Sequence, residues 1–355
     1  MPNLVQMLSE RGQCINVTAT TIAETKCAGH SPVGTAQRIP RIVWQTSQFS
    51  NASLPSDIAT IRQTHIASNP EYRFHLISDA TADAFIRASF SPYVYAAYQS
   101  LQWGVAKADF WRYCVLLERG GIYLDIDSRL RRPLRTLIRP GDSAVLADEW
   151  HHRERPKWRW GAGPWCKCNT EPCRAQLMKL RCNTSHVLQI PGQRDFENCR
   201  SGLPRLHTQI AQLMLVAERG HPLFVEMVHE TARAIHAWRD TPESLSLPLV
   251  NRVLVLTGPC ALALVFQRWV GSGTACYREA DGTLICQVRG DSTKHPTSAK
   301  GGCFRLLPER TGRDYEPYAE RHPYHWNSQY DRSNASSWER LDHQTDALKR
   351  KDVTV

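Results

Sequence analysis

One segment constrains the fold of this chain more than any other, a helical stretch that passes through two glycines into a short apolar strand. In residues 106–119, apolar side chains recur at helical intervals and form one apolar face. Gly120 and Gly121 end this helix, and residues 122–124 form an apolar run that leads directly into Asp125 and Asp127. A helix that feeds a buried strand is the repeating unit of open α/β sheets. The segment therefore predicts an α/β fold with two carboxylates at the end of a strand.

The sequence on both sides of this segment indicates a central, mostly parallel sheet. Residues 42–44 and 71–77 predict strands, and a helical stretch follows each of them, beginning near Ser56 and Ser78. Residues 144–147 predict a further strand. Downstream, we expect helices over 207–219 and 223–238, and a strand, a turn and a helix over 253–270. This order of strands and helices is typical of an α/β sandwich.

The composition is that of a folded protein. The chain has 355 residues, of which 42% are hydrophobic and 22% charged, and these values exclude a wholly disordered protein. We expect a flexible N-terminal tail or stem over 1–37, a folded domain over 38–335 and a charged tail over 336–355. The apolar stretch 253–266 is interrupted by a glycine and a proline and is shorter than the roughly 20 residues that span a membrane. We therefore expect neither a transmembrane helix nor a signal peptide in this sequence.

Cysteines concentrate in residues 150–205, which predict a long insertion in the domain. Five of the twelve cysteines lie there: Cys166, Cys168, Cys173, Cys182 and Cys199. Their spacing differs from the paired CxxC pattern of strong zinc sites, so disulfides are the favoured interpretation and zinc is the alternative. Sequons for N-glycosylation occur at Asn16, Asn51, Asn183 and Asn334. Both features favour an oxidising compartment, such as the secretory pathway or the Golgi lumen.

A net charge of +10 favours anionic partners, such as a nucleotide or a phospholipid headgroup. Several arginines follow the acidic pair, and residues 151–160 mix arginine with tryptophan. Such patterns bind nucleic acid in some proteins, but a solvated surface is the commoner explanation, and we expect no nucleic-acid partner. Arg129 is an exception, because its position beside Asp127 suits a contact with phosphate. The other basic residues would suit peripheral contact with a membrane if the acceptor is a lipid.

Asp125 and Asp127 are the strongest candidates for chemistry. Two carboxylates at positions i and i+2 leave a strand on the same side, and open α/β sheets bind ligands at the carboxyl ends of their strands. Carboxylate oxygens there can hold Mn²⁺ or Mg²⁺, and the cation can bridge the phosphates of a substrate. Asp109 and Arg112 lie three residues apart on one face of the preceding helix. Alone they could form an ordinary surface ion pair, but their helix leads into the acidic pair.

Together these motifs resemble glycosyltransferase family 32, the DXD enzymes related to the fungal initiating α-1,6-mannosyltransferase and the inositolphosphoceramide mannosyltransferases. The central match runs from Ala108 to Asp127. Shorter matches follow the family's order: Ile39–Thr46, Asn69–Asp79, Gly220-His221-Pro222, Thr257-Gly258-Pro259 and His325–Ser328. The resemblance implies a GT-A nucleotide-sugar-binding sandwich. It also implies a metal-dependent hexosyltransferase that retains anomeric configuration. Because no side-chain nucleophile is evident in the sequence, we expect front-face transfer from the nucleotide-sugar.

The resemblance implies roles for individual residues as well. Asp127 would bind Mn²⁺ or Mg²⁺ directly, and Asp125 would contact the metal, the ribose or both. Asp109 and Arg112 would hold the base and ribose of the donor. His325 would close over the pyrophosphate and complete the metal shell. Other contacts with the nucleotide-sugar are expected from residues on or beside the strands: Trp44, Gln45, Tyr123 and Arg129.

The sequence departs from the family at several positions of these motifs. Trp44 stands where the family has histidine, Ser47 where an aromatic residue is frequent, and Tyr324 where the first C-terminal histidine is expected. These changes leave the donor open between GDP-mannose, which the resemblance favours, and UDP-sugars. The acceptor is open between an N-glycan, an inositol phospholipid and a polysaccharide.

Two other functions remain open on the sequence alone. Haloacid-dehalogenase phosphatases also have an apolar strand that ends in DxD, and Asp125 would then be the nucleophile. That class needs a second acidic motif, and the nearest candidate, Gly141-Asp142 with Asp148, has unsuitable spacing. The other alternative is a non-catalytic relative that only binds a nucleotide-sugar, and the intact acidic pair argues against it.

Overall fold

The computed structural model describes residues 37–147, 210–245, 249–271, 276–278, 283–287, 303–307 and 319–321. The described residues do not include the five clustered cysteines, the predicted ligand His325 or, apart from Gln37, the predicted tails. Within the described ranges, no helix is long and apolar enough to cross a membrane.

Most strands of the described ranges form one mixed, eight-stranded sheet. In chain order the strands are β1 (Ile42–Thr46), β2 (Arg73–Ile77), β3 (Gly121–Leu124), β4 (Ser128–Leu130), β5 (Asp142–Ala147), β6 (Met214–Ala217), β7 (Cys276–Arg278), β8 (Leu284–Gln287), β9 (Cys303–Leu307) and β10 (Ala319–Arg321). Their order across the sheet is β2-β1-β3-β6-β5-β9-β8-β7, and β4 pairs with β10 in a separate ribbon.

The helices of the described ranges connect these strands. In chain order they are α1 (Ser56–Ser68), α2 (Asp79–Ser89), α3 (Pro92–Ser100), α4 (Gly104–Arg119), α5 (Pro222–Trp238), α6 (Pro242–Leu245), α7 (Leu249–Leu256) and α8 (Pro259–Gly271). α1 connects β1 to β2, and α2 to α4 connect β2 to β3.

The strand pairings confirm the predicted α/β class. β2, β1 and β3 are parallel neighbours, so their carboxyl ends lie at one edge of the sheet. Following the pairings across the described sheet, β6 and β8 run opposite to the other six strands. The sheet is thus mostly parallel in strand direction, with the antiparallel β6 inserted beside β3.

Alternation along β3 divides the core between the two faces of the sheet. Ile122 and Leu124 pack in one apolar cluster with Val43 and Val216. Tyr123 points to the opposite face, into the larger cluster that contains α4 and α5. α4 was expected to be apolar on one face only, but from Asp109 to Leu117 all its side chains are buried. This part of α4 therefore lies inside the domain, and the charged residues Asp109 and Arg112 are buried with it.

Gly120 and Gly121 occupy positions where any other residue would have a strained backbone and a steric clash. Gly120 has a φ of 66°, and a Cβ there would lie 2.5 Å from the backbone nitrogen of Arg219. Gly121 has a φ of 100°, and a Cβ there would lie 2.7 Å from the carbonyl oxygen of Ile42. Both φ values and both close approaches favour glycine. The glycine pair therefore lets β3 start tightly packed between β1 and β6.

Two predicted elements were wrong. Residues 207–219 were expected to be helical, but 214–217 form β6, which is buried between β3 and β5. Residues 253–256 were expected to be a strand, but they complete helix α7. In both segments the residues are nearly all apolar, and a short run that is buried on every side carries no periodicity that distinguishes strand from helix.

Candidate active site

The two carboxylates lie in a turn at the edge where β1, β2 and β3 end. β3 ends at Leu124, and the backbone N–H of Asp125 donates to the carbonyl of Leu213 at 2.8 Å. The N–H of Ser128 then donates to the carbonyl of Asp125 at 3.0 Å. The strand alternation that the sequence suggested therefore stops before Asp127, and the turn orients both side chains. Both aspartates are partly exposed at this edge.

Asp125 is oriented by two side chains behind it. The hydroxyl of Tyr123 donates to Asp125 Oδ1 at 2.8 Å, and Arg112 Nη2 lies 3.6 Å from the same oxygen. The guanidinium carbon of Arg112 lies 4.4 Å from the centre of the Tyr123 ring, so the cation stacks on the aromatic face. Thr46, at the end of β1, has its hydroxyl 3.4 Å from that of Tyr123.

Asp109 and Arg112 form a buried ion pair rather than a surface pair. Arg112 Nη2 lies 2.8 Å from Asp109 Oδ1, and the two side chains are only 6% and 2% exposed. Arg112 Nη1 also donates to the carbonyl of Gln212 at 2.8 Å. The other oxygen of Asp109 accepts from the Thr257 hydroxyl at 3.1 Å. We refer to Asp109, Arg112, Tyr123 and Thr257 as the charged cluster.

Burial and mutual proximity shift the pKa values of this cluster. Burial raises the pKa of Asp109 to about 7; Asp125 adds to the rise, whereas Arg112 and the Thr257 hydrogen bond oppose it. Burial lowers the pKa of Arg112, but Tyr123, Asp125 and Asp109 together raise it above the ordinary value. The pKa of Tyr123 is raised, chiefly by burial. Arg112 therefore stays charged and Tyr123 stays protonated, so Tyr123 remains a donor to Asp125.

Neutral groups on α1 and just after it fix the chain that follows Asp127. The backbone N–H of Leu130 donates to His65 Nε2 at 3.0 Å, and that of Leu134 donates to Asn69 Oδ1 at 2.6 Å. Asn69 Nδ2 in turn donates to the carbonyl of His65 at 2.9 Å. We refer to His65 and Asn69 as the neutral clamp. The Asn-Pro motif of the sequence thus has a structural role in holding this backbone.

The remaining predicted nucleotide contacts differ in their access to this edge. Trp44 is partly buried, stacks on His75 with ring centres 5.0 Å apart, and donates from Nε1 to the carbonyl of Gly120 at 2.8 Å. Gln45 points to the other face of β1, is buried, and accepts from Arg62. Arg129 is exposed on β4. The placement of Gln45 does not favour contact with a ligand, and all three roles stay predictions.

Three residues near the carboxylates were not given a role from the sequence. Thr46 ends the first strand, and its hydroxyl carries no distinctive pattern. Gln212 precedes β6, which was wrongly expected to be helical. Thr257 belongs to the Thr-Gly-Pro match, so a signal was present there, but only the fold brings it to Asp109.

The acidic pair fits a divalent cation of the kind predicted. Mg²⁺ and similar hard cations take one or two protein carboxylates and complete their shell with water and substrate phosphate. Asp125 and Asp127 supply carboxylate oxygens at an accessible edge. In the described part of the chain, no group of three or more His, Cys, Asp or Glu side chains comes together. A third protein ligand would have to come from outside those residues, where the predicted ligand His325 lies in the sequence.

Comparison with known proteins gives matches across this region. A family described as "Glycosyltransferase sugar-binding region containing DXD motif" matches residues 55–149, which include both carboxylates, Asp109 and Arg112. The initiation-specific alpha-1,6-mannosyltransferase of Candida albicans is 33% identical over 201 residues, covering 56% of this chain and 43% of that protein. Its counterpart in Saccharomyces cerevisiae is 27% identical over 206 residues, covering 56% of this chain and 40% of that protein.

Other matches are shorter or more distant. A mannosyl phosphorylinositol ceramide synthase of S. cerevisiae is 32% identical over 103 residues, covering 29% of this chain and 27% of that protein. Among solved structures, the PaToxG glycosyltransferase is similar with a TM-score of 0.39 and 12% identity, over 65% of this chain and 70% of that chain. The chain spans less than half the length of the curated relatives that it matches. The resemblance drawn from the motifs is confirmed, since residues 55–149 match the DXD-containing glycosyltransferase sugar-binding region.

Proposed function

We propose that this chain is a metal-dependent, retaining glycosyltransferase of GT-A architecture that transfers a hexose from a nucleotide-sugar to a glycan or glycolipid acceptor. One observation carries the proposal: Asp125 is held in place by Tyr123 and Arg112 at the accessible edge where three parallel strands end, beside Asp127. The names of the relatives favour mannose, and hence GDP-mannose, as the donor. The same names favour a glycan or an inositol phosphoceramide as the acceptor.

The arrangement suits the departure of a nucleoside diphosphate. A divalent cation held by Asp125 and Asp127 would supply positive charge where the diphosphate becomes more negative. Tyr123 and Arg112 keep the Asp125 carboxylate in one orientation before any ligand arrives, so little reorganisation is needed on binding. Arg112 also offsets part of the repulsion between the two aspartates and an incoming phosphate. Arg129, exposed beyond the turn, is suitably placed to contact phosphate.

The cysteines support a site of action in an oxidising compartment. Cys260, Cys286 and Cys303 each take part in a disulfide. Structural disulfides persist in the secretory pathway and are rare in reducing compartments. We therefore propose the secretory pathway or the Golgi lumen, which the cysteine count and the sequons of the sequence also favour. Peripheral contact with a membrane would follow if the acceptor is a lipid.

A panel of GDP- and UDP-sugars with purified protein and Mn²⁺, scored by released nucleotide, tests the proposal. We expect turnover with GDP-mannose, loss of that turnover in EDTA, and its return on adding Mn²⁺. Asp127→Asn should lower turnover by about 100-fold or more, because the cation loses a direct carboxylate ligand. Asp240→Asn, at an exposed position after α5 and outside the matched motifs, is the control and should leave turnover unchanged.

Two results would contradict the proposal. Metal-independent turnover would remove the role of the acidic pair. Phosphate release from a phosphomonoester, with a covalent phosphate trapped on Asp125, would establish the phosphatase alternative instead.

A further inference from the structure

We propose that Thr257 is a positioning residue for the acidic pair, acting through Asp109 and Arg112 on Asp125. Thr257 follows α7 and is fully buried, and only the fold brings it near the carboxylates. Its hydroxyl donates to Asp109 Oδ2 at 3.1 Å, while Arg112 engages Asp109 Oδ1 at 2.8 Å. Each oxygen of the Asp109 carboxylate therefore has its own partner. Together the two contacts fix the rotation of the carboxylate group.

Thr257 is itself anchored through its backbone. Its carbonyl accepts from the hydroxyl of Tyr113 at 2.7 Å and from Gln212 Nε2 at 3.4 Å. Its N–H donates to the carbonyl of Val253 at 3.0 Å. Gly258 follows directly, and a Cβ there would lie 2.8 Å from the Cα of Leu254, so only glycine allows this tight connection. The Thr-Gly-Pro sequence thus delivers one hydroxyl to a fixed point beside Asp109.

Arg112 connects the fixed carboxylate of Asp109 to the acidic turn. Its Nη2 lies between Asp109 Oδ1, at 2.8 Å, and Asp125 Oδ1, at 3.6 Å. Its Nη1 donates to the Gln212 carbonyl, which holds that side of the guanidinium in place. A movement of Asp109 would therefore change the distances from Arg112 Nη2 to the two aspartates. Asp109 and Arg112 are both almost wholly buried. Thr257 therefore acts from within the fold rather than on a ligand.

Removing the hydroxyl should loosen this chain of contacts. Asp109 Oδ2 would lose its donor in a buried environment, where an unpartnered carboxylate oxygen is unfavourable. The carboxylate would rotate towards Arg112 or take up a proton, and in both cases Arg112 would hold Asp125 differently. The expected consequence is weaker cation binding at the turn. The inference rests on the proposed function in one respect, because the bound cation is the one that the proposed function requires.

Thr257→Val tests the inference, because valine keeps the shape of threonine and removes the hydroxyl. The probe is Mn²⁺ alone, with binding followed by the electron paramagnetic resonance signal of the free ion. We expect the Mn²⁺ dissociation constant to rise about tenfold, the size of one hydrogen bond to a charged group. The Mn²⁺ concentration that gives half-maximal turnover should rise in parallel. Thr257→Ser restores the hydroxyl and should return both values to those of the wild type.

Thr231→Val is the matched control. Thr231 lies on α5, is also fully buried, and its hydroxyl has no hydrogen-bond partner in the described part of the chain. The substitution should leave Mn²⁺ binding unchanged, which separates the loss of the Asp109 contact from any general effect of replacing a buried threonine.

Tyr113→Phe supplies a second, milder variant if Thr257→Val does not fold. It removes the hydroxyl that donates to the Thr257 carbonyl and should weaken Mn²⁺ binding about threefold. If the wild type binds Mn²⁺ and Thr257→Val binds it equally well, this inference alone is overturned. If Thr257→Val does not fold, unchanged Mn²⁺ binding by Tyr113→Phe has the same meaning. A wild-type protein that binds no Mn²⁺ overturns the proposed function as well.

Discussion

Two buried polar groups of residues flank the acidic turn, and they hold it by different chemistry. The charged cluster lies behind Asp125 and joins side chain to side chain through an ion pair. The neutral clamp lies beyond Asp127 and joins the side chains of His65 and Asn69 to the backbone of the following segment. Both are shielded from solvent, so neither is an ordinary surface interaction.

The difference shows what each side of the turn requires. A backbone N–H needs only one acceptor, and an uncharged side chain provides it without the cost of burying a charge. A carboxylate that is to hold a cation needs its orientation fixed while it stays ionised, and a neighbouring arginine favours the ionised form. The neutral clamp therefore fixes the path of the chain, whereas the charged cluster fixes one side chain.

The largest effect on stability is expected from breaking the charged cluster. Arg112→Met removes the cation and leaves Asp109 buried without its ion-pair partner, which should lower the free energy of unfolding by about 3–5 kcal/mol. Urea denaturation of the purified variant measures this change.

The double variant Asp109→Leu with Arg112→Met completes the test of the ion pair. It removes both charges and should recover a large part of the lost stability, because no unpaired charge remains in the core. A single variant that loses less than about 1 kcal/mol would show that the pair is not energetically important.

The next largest effect on stability is expected from lowering the pH, which acts on His65 of the neutral clamp. The pKa of His65 is lowered to about 4, chiefly by burial and in part by the nearby positive charges of Arg62 and Arg129. Between pH 6.5 and pH 4 the unfolded chain takes up a proton that the folded chain excludes, so the free energy of unfolding falls as the pH falls. The full loss should be on the order of 3 kcal/mol.

His65→Gln isolates this contribution. Glutamine keeps an acceptor for the N–H of Leu130 and does not titrate. Its stability, measured by urea denaturation at several pH values, should depend less on pH than that of the wild type over this interval. Equal slopes for the two proteins would mean that His65 does not titrate differently on folding.

A smaller effect is expected when the other half of the neutral clamp is removed. Asn69→Ala leaves the buried N–H of Leu134 without an acceptor and should lower the free energy of unfolding by about 1–3 kcal/mol. Gln63→Ala, at an exposed position on α1, is the control and should change it by less than about 0.5 kcal/mol. If Asn69→Ala weakened Mn²⁺ binding more than it lowered stability, the division of roles between clamp and cluster would not hold.

The smallest effect is expected at the margin of the charged cluster. Thr46→Val removes a hydroxyl whose contact with Tyr123 is long, at 3.4 Å, and therefore weak. The free energy of unfolding should change by less than about 0.5 kcal/mol. A loss above about 1 kcal/mol in thermal or urea denaturation would place Thr46 within the cluster rather than at its edge.

What the sequence predicted and what it missed follow from the range of the interactions. The helix, the glycine pair and the strand that leads to Asp125 lie within twenty consecutive residues or so, where spacing and turn chemistry act directly. Thr257 and Gln212 meet Asp109 and Arg112 only after the chain has folded, and spacing carries no information on such contacts. The same limit applies to β6, whose identity as a strand depends on pairing with β3 and β5.

The position of a polar residue along a strand does not by itself show which way its side chain points. Gln45 is a polar residue next to the end of β1, which favours a role in binding, yet alternation along the strand turns it towards Arg62 in the interior. Trp44, its neighbour, points to the face that carries α4, as its contact with Trp111 shows.

The glycine pair has one more consequence, which concerns length. Gly120 and Gly121 are locked between neighbouring backbones, and β3 contains only four residues before Asp125. Because its first residues are fixed, the length of β3 sets the distance from the glycine pair to Asp125. One inserted residue would carry the acidic turn about 3.3 Å outward and reverse which face of the sheet each side chain meets. The apolar side chains of Ile122 and Leu124 can be exchanged for others of similar size, but the number of residues in the strand cannot change without separating Asp125 from Arg112.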